Sequence, residues 1–187
     1  MGSLALAGQR AGGVRLATGR VRDVDLSGCQ LESLHVTDGV FAGCDLANVH
    51  ARGARLTRVS VATSRMTGVR MTEAALQDVV VRECRVDLAS FANSRLTRVS
   101  FEDCVLAQSD FLDCQMEAVR FHRCSLTEAD FRGARMRRCE FRRNDMSGLQ
   151  GIASLKGAAL EWGDVIGLAG ALAGALGIGV LDEDRDG

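Results

Sequence analysis

From Phe91 to Met146 a large apolar residue falls on every fifth position without exception, and the same register runs back unbroken to Leu16, with Ala51 as its one weak member. Two positions before each of these sits a smaller side chain, as in Ala89, Ser94, Val99, Cys104, Ser109 and Cys114. The residues between and after them are polar or charged. A period of five fits neither an amphipathic helix nor the strict alternation of a half-buried strand, so the chain reads as a tandem array of five-residue units. No charge enters either series anywhere in this span, although 25% of the residues are charged. Both series must therefore face away from water.

Units such as Ala129-Asp130-Phe131-Arg132-Gly133 and Cys44-Asp45-Leu46-Ala47-Asn48 have the form A(D/N)LXX. On those residues the chain resembles the pentapeptide repeat family over about three quarters of its length. The resemblance implies an all-β fold: a right-handed quadrilateral β-helix in which each unit forms one side of a square and four units complete a coil, followed by a C-terminal α-helix. Stacked coils bury a continuous core that no single coil could bury. At strand spacing, ~4.8 Å, the coils would make a rod of roughly 32 Å. Phe91, Phe111 and Phe131 then stack on one side and Phe101, Phe121 and Phe141 on the opposite side. Each buried Phe contributes on the order of 1.5–3 kcal/mol, so the half after residue 91 is expected to be the more stable. The rod is expected to be filled, with no lumen and only flat or gently ridged sides.

After Met146 the register breaks. Leu149 to Ile152 read as an insertion, followed by two further units, Ala153-Ser-Leu155-Lys-Gly157 and Ala158-Ala-Leu160-Glu-Trp162, displaced by one position. The period then turns helical through Trp162, Val165, Ile166, Ala169, Leu172 and Leu176, with Glu161 and Asp164 near the positive end of the helix dipole and Gly177 as a stop. The run from Val165 to Leu181 is uncharged and close to the shortest length that spans a membrane. An open β-helix end, however, exposes apolar core and unpaired backbone, which favours a capping or dimerisation helix over an anchor. The resemblance adds that in quinolone-resistance members such a helix forms the dimer contact. The expected organisation is a ragged lead-in over 1–13, coils over 14–162 with the break near 149–152, the helix over 163–178 and an acidic tail over 179–187.

The chain has 187 residues, 47% of them hydrophobic, enough for one domain with a core. Its N-terminus is too short and too weakly apolar for a signal peptide, which points to a cytoplasmic protein. All seven cysteines lie at the small inward position. Cys84, Cys104 and Cys124 should stack directly, but thiols in a reducing cytoplasm serve as small hydrophobes, and no zinc-like Cys/His spacing exists. His35, His50 and His122 fall at outward positions on different sides. The glycine-rich spots do not form a phosphate-binding loop. A general acid–base pair or a nucleophile needs a concave, partly dry pocket, so neither an enzyme nor a cofactor is expected.

Charge is where the walls differ. One wall carries Arg55, Arg58, Arg95, Arg98, Arg135 and Arg138 against few acids, and its neighbour is also arginine-rich. The other two walls hold Asp25, Asp45 and Asp87 on one, and Asp110, Asp113 and Asp130 on the other. The overall charge of −1 thus conceals a basic and an acidic pair of walls, unless cross-coil ion pairs consume them. The best-understood members of the resembled family look like duplex DNA and bind type II topoisomerases, notably DNA gyrase, protecting the enzyme from inhibitors. The resemblance therefore implies a non-enzymatic, DNA-mimicking binding protein, with the acidic walls as the contact and a homodimer through the C-terminal helix. The alternative is a general protein-interaction scaffold that uses the arginine ladder. Direct nucleic-acid binding is disfavoured because no aromatic residues interleave with the arginines.

Overall fold

The five-residue period becomes structure at the corners. Two positions after each large inward residue the backbone takes a positive φ, as at Thr18, Asp38, Arg58, Asp78 and Arg98, lying between 45° and 59° wherever the residue is not glycine. Such a corner costs a non-glycine residue roughly 1–2 kcal/mol, and it is maintained by the backbone ladder that it brings into line. The computed structural model describes residues 6–181; the lead-in before residue 6 and the acidic tail from 182 lie outside the described residues.

Strands β1 (Arg15–Arg22), β2 (His35–Ala42), β3 (Arg55–Ala62), β4 (Ala75–Arg82) and β5 (Arg95–Glu102) each run across two sides of the square. They pair in parallel, in a register that sets Leu16 beside Val36, Leu56 beside Leu76, and Val81 beside Phe101. Beyond them the same two sides are separate short strands, β6 (Gln115–Glu117) with β7 (Arg120–His122), and β8 (Arg135–Arg137) with β9 (Cys139–Arg142). The other two sides contribute single parallel bridges at the same spacing, such as Asp25 with Asp45 and Ser90 with Asp110. The result is the quadrilateral parallel β-helix that the resemblance to pentapeptide repeat proteins implies.

Inside, the phenylalanines form two facing columns. Rings one coil apart are stacked at 4.8–5.2 Å, and rings on facing columns meet edge to face at 5.7–6.2 Å. Both geometries are favoured by aromatic quadrupoles. This half is filled: Phe91 through Phe141 are all at most 1% exposed. The other half departs from the expectation of a solid rod. An apolar cavity of about 470 Å³ runs from Leu6, Gln9 and Ala11 past Val36, Ala51 and Val61 to a floor at Phe91 and Phe101. Inward residues of the first coils, Val14, Leu16, Val21, Leu26, Leu31 and Leu34, are only half-buried. The rod therefore has a lumen, because Val, Leu, Met and Ala do not span a cross-section that facing pairs of Phe do.

The break after Met146 is a loss of one residue, not an insertion. Gln150 still pairs with Asp130 in the regular register, but β10 (Ala158–Leu160) places Ala158 beside Cys139 and Leu160 beside Phe141, one residue early. A 3-10 turn over Ile152–Leu155, with Leu155 buried, replaces the expected unit. Glycine is required on both flanks. Gly151 and Gly157 have φ of 79° and 90°, and a Cβ at either would run into backbone, at Arg132 N and Met136 O. The expected single helix is two short ones, α1 (Trp162–Gly167) and α2 (Ala169–Ala175), hinged at Leu168.

The filled and hollow halves should respond unequally to truncation. Phe111→Ala, at a site with no exposure and stacked rings on either side, is expected to cost about 3–5 kcal/mol in denaturant unfolding. Phe41→Ala, half-buried beside the cavity, should cost less than half of that; equal losses would contradict the gradient in packing.

Candidate functional site

The regular stacking sets outward residues directly above one another, and this decides the state of the charged walls. Asp38, Arg58, Asp78 and Arg98 occupy successive corners of one column. Arg58 donates Nε and Nη2 to the two carboxylate oxygens of Asp38 at 2.6 and 2.9 Å, and Arg98 does the same to Asp78. Arg137 and Arg138 both close on Glu117. Hydrogen bonds from these guanidinium groups hold the Asp38, Asp78 and Glu117 carboxyls below their ordinary range. Of the basic wall, Arg58, Arg98 and Arg138 are thus committed to neighbouring coils. Arg95 donates to the neutral Gln115 amide, and Arg55 and Arg135 have no carboxylate partner among the described residues. These three lie in one column at strand starts.

The acidic set is divided in a different way. Asp25, Asp45, Asp110 and Asp130 each accept the backbone N–H of the residue two further on at 2.8–2.9 Å, fixing the turn of their own unit. This is the physical reason for Asp at that place in the unit: a short carboxylate closes an Asx turn. Asp45 also pairs with Arg65, Asp87 with Arg85 and Asp130 with Arg132. Asp25, Asp110 and Asp113 have no cationic partner among the described residues. The structure therefore does not bring the six predicted aspartates into one strip; arginines interrupt it on both walls.

The seven cysteines are buried and unpaired. Their thiols donate to backbone carbonyls, as from Cys114 to Phe91 O at 2.9 Å and from Cys84 to Arg82 O at 3.0 Å. Burial pushes the Cys114 thiol up to about 12. No group of three metal-ligating side chains is assembled among the described residues; His35 is hydrogen-bonded to Ser33 O and His122 to Arg123.

The C-terminal segment covers the last coil through residues that helical periodicity did not single out. Leu168, 4% exposed, seats on the core. Asp164, 6% exposed, continues the small inward column: its Oδ1 accepts Asn144 N at 2.9 Å, as Asn144 Oδ1 accepts Cys124 N one coil earlier. Its Oδ2 has no partner among the described residues, and burial raises its carboxyl above the ordinary value. Of the predicted dimer residues, Val165 and Leu172 are half-buried, whereas Trp162, Ile166, Ala169 and Leu176 are exposed, Trp162 by 74% and Leu176 by 77%. No helix among the described residues is long and apolar enough to cross a membrane.

Comparison with known proteins gives the same picture. A family model described as a pentapeptide repeat region matches residues 34–111 and 83–150. No curated protein matches the chain. Among solved structures, QnrB1, described as a plasmid-mediated fluoroquinolone resistance protein, is similar over 96% of this chain and 98% of its own, at 16% identity and a TM-score of 0.50. HetL, a pentapeptide repeat protein involved in heterocyst differentiation regulation in the cyanobacterium Nostoc, is similar over 81% and 90% at 14% identity and a TM-score of 0.41. A pentapeptide repeat protein of the Arabidopsis thaliana thylakoid lumen is similar over 70% of each chain, at 19% identity and a TM-score of 0.35. At 16% identity the likeness to QnrB1 is one of fold.

Asp164 gives a test of the cap. Asp164→Ala leaves the Asn144 N–H without its acceptor and is expected to destabilise by about 1–3 kcal/mol. Asp164→Asn keeps the acceptor and removes a buried charge, so it should be neutral or stabilising at pH 7. Because the folded carboxyl titrates above 3.8, its contribution is greatest at low pH and is lost as pH rises through the folded pKa. Urea unfolding of both variants across that range should show a smaller loss for Asn; an Asn variant as weak as Ala would refute the assigned hydrogen bond.

Proposed function

This chain belongs to the pentapeptide repeat family, and we propose that it acts there as a non-catalytic binding protein whose partner docks along the walls of the rod. The observation that carries this reading is the fixed registration of the outward side chains: charges on a wall stand one coil apart, some of them held by bidentate pairs such as Arg98 on Asp78. A surface of that kind suits recognition of another macromolecular surface, because the ordering cost of its long side chains is met before the partner arrives. The buried, unpaired thiols support a reducing compartment such as the cytoplasm.

The partner with the most support is a type II topoisomerase, DNA gyrase above all. QnrB1, a fluoroquinolone resistance protein, shares the rod over nearly the whole of both chains. The exposed Trp162, Ile166 and Leu176 further support a homodimer through the C-terminal segment. A second reading is favoured by the interrupted acidic walls: a scaffold whose partner is acidic and meets the Arg55, Arg95 and Arg135 column, with no DNA mimicry.

Supercoiling assays with purified gyrase and a fluoroquinolone separate the two. The first reading expects inhibition or rescue at micromolar protein, weakened by Asp110→Asn with Asp113→Asn and unchanged by Arg55→Ala with Arg135→Ala. No effect at that concentration removes the topoisomerase. In sedimentation the wild type is expected to be a dimer and Trp162→Glu with Ile166→Glu a monomer of unchanged thermal midpoint; a monomeric wild type removes the dimer.

A further inference from the structure

The cavity in the N-terminal half lies apart from the charged walls and from the C-terminal segment, and nothing in the binding role proposed above uses it. We infer that it is a binding site for a single unbranched alkyl chain with an anionic headgroup, the tail lying along the axis of the rod and the head at the N-terminal rim.

The dimensions set the tail. Inward positions one coil apart are separated by ~4.8 Å, so the four steps from the Ala11 layer to the Phe91 floor make a bore of roughly 19 Å. The cavity has a volume of about 470 Å³. A long bore of this kind suits an extended hydrocarbon chain lying along the axis. The volume lies within the range of small-molecule sites, about 300–1,000 Å³. The wall from Leu16 to Val81 is apolar, mostly Val and Leu with Cys29, Phe41, Met66 and Met71 among them, so it selects for length and against polarity. An apolar cavity of this size does not hold ordered water well, which leaves an apolar guest as its natural occupant.

The rim sets the head. The half-buried state of Val14, Leu16 and Val21, set against complete burial at the same positions from Ala51 onward, places the opening at the N-terminal end. Gln9 occupies an inward position there and lines the mouth with Arg15. Residues 6–22 hold Arg10, Arg15, Arg20 and Arg22 and no Asp or Glu, and none of the four is in an ion pair among the described residues. Arg15 lines the apolar mouth, and Arg10, Arg20 and Arg22 lie on the same first coil ahead of Asp23 and Asp25; guanidinium groups so placed complement a carboxylate or a phosphate on an alkyl tail.

Ala51 and Val61 are the positions that keep the bore open. Each is equivalent to a Phe of the filled half: Ala51 to Phe91 and Phe111, Val61 to Phe101 and Phe121. Ala51→Phe would face Phe41 as Phe111 faces Phe101, edge to face at 6.2 Å. Both substitutions should fold, since later coils accommodate the same side chain at the same place.

The test is calorimetric titration of the full chain with octanoate, dodecanoate and hexadecanoate, and with a single-chain lysophosphatidylglycerol. The wild type is expected to take up one alkyl chain per rod, with affinity rising about fourfold per added methylene until the bore is full. Whether the fatty acids or the lysolipid bind more tightly identifies a carboxylate or a phosphate head. Ala51→Phe and Val61→Phe are expected to raise the thermal midpoint and to abolish uptake. Arg10→Gln with Arg15→Gln should weaken dodecanoate but not dodecanol. Failure of every probe to bind, affinity independent of chain length, or uptake that survives in a folded Ala51→Phe variant would each overturn the inference.

Discussion

The cross-section of this rod is set by its backbone. Four sides of five residues, turned at left-handed corners and locked to the coil above and below by parallel hydrogen bonds, enclose an interior whose width hardly changes from one end to the other. Side chains fill that space or leave it empty; they do not resize it. An ordinary core relaxes around a smaller residue and recovers part of the loss. Here the ladder resists collapse, so the choice between Phe and Val at one position in five is a choice between a solid and a hollow coil.

The same registration governs the outside. Residues one coil apart stand within reach of each other, so a corner column alternating Asp and Arg becomes a chain of bidentate pairs. Exposed pairs of this type add little stability and are screened by salt. What they do is remove charge from the field that a partner would sense at a distance. The basic wall is left with the Arg55, Arg95 and Arg135 column outside such pairs. The acidic walls are left with Asp25, Asp110 and Asp113 outside such pairs. The charge that remains is local to each wall, and the field of the rod at a distance is correspondingly weak.

The fold was legible because a period of five has no competing explanation: neither helix nor ordinary strand places Phe91, Leu96 and Phe101 on one interior. The hollow was not legible from that period, which reports which residues point inward and says nothing of how wide the interior is. Ala51 stood out as the weak member, but its effect depends on Val61 and Val81 being short on the facing side, a comparison of volumes against a fixed frame. The candidate charges were found by column; their pairing was only partly visible, since Asp38 and Arg58 align in sequence while the Asx role of Asp110 needs the turn geometry. The cap was expected, but the residues that seal it were missed for a simpler reason. In a run of Gly, Ala and Leu the helical period selects one face, and with a hinge at Leu168 the buried residues become Asp164 and Leu168.

The two ends of the rod are thus built on opposite terms. At the C-terminal end the last coil is shortened by one residue, turned over Leu155 and sealed by Leu168, with Asp164 supplying the acceptor that a further coil would have supplied to Asn144. At the other end the inward residues remain half-buried and meet solvent. In a solenoid each coil is stabilised by its neighbours, so stability should propagate from the sealed, phenylalanine-packed end and decline toward the open one. The coils around the bore are those with least cohesion of their own, and they have most to gain from an apolar guest that supplies the contacts their side chains cannot reach.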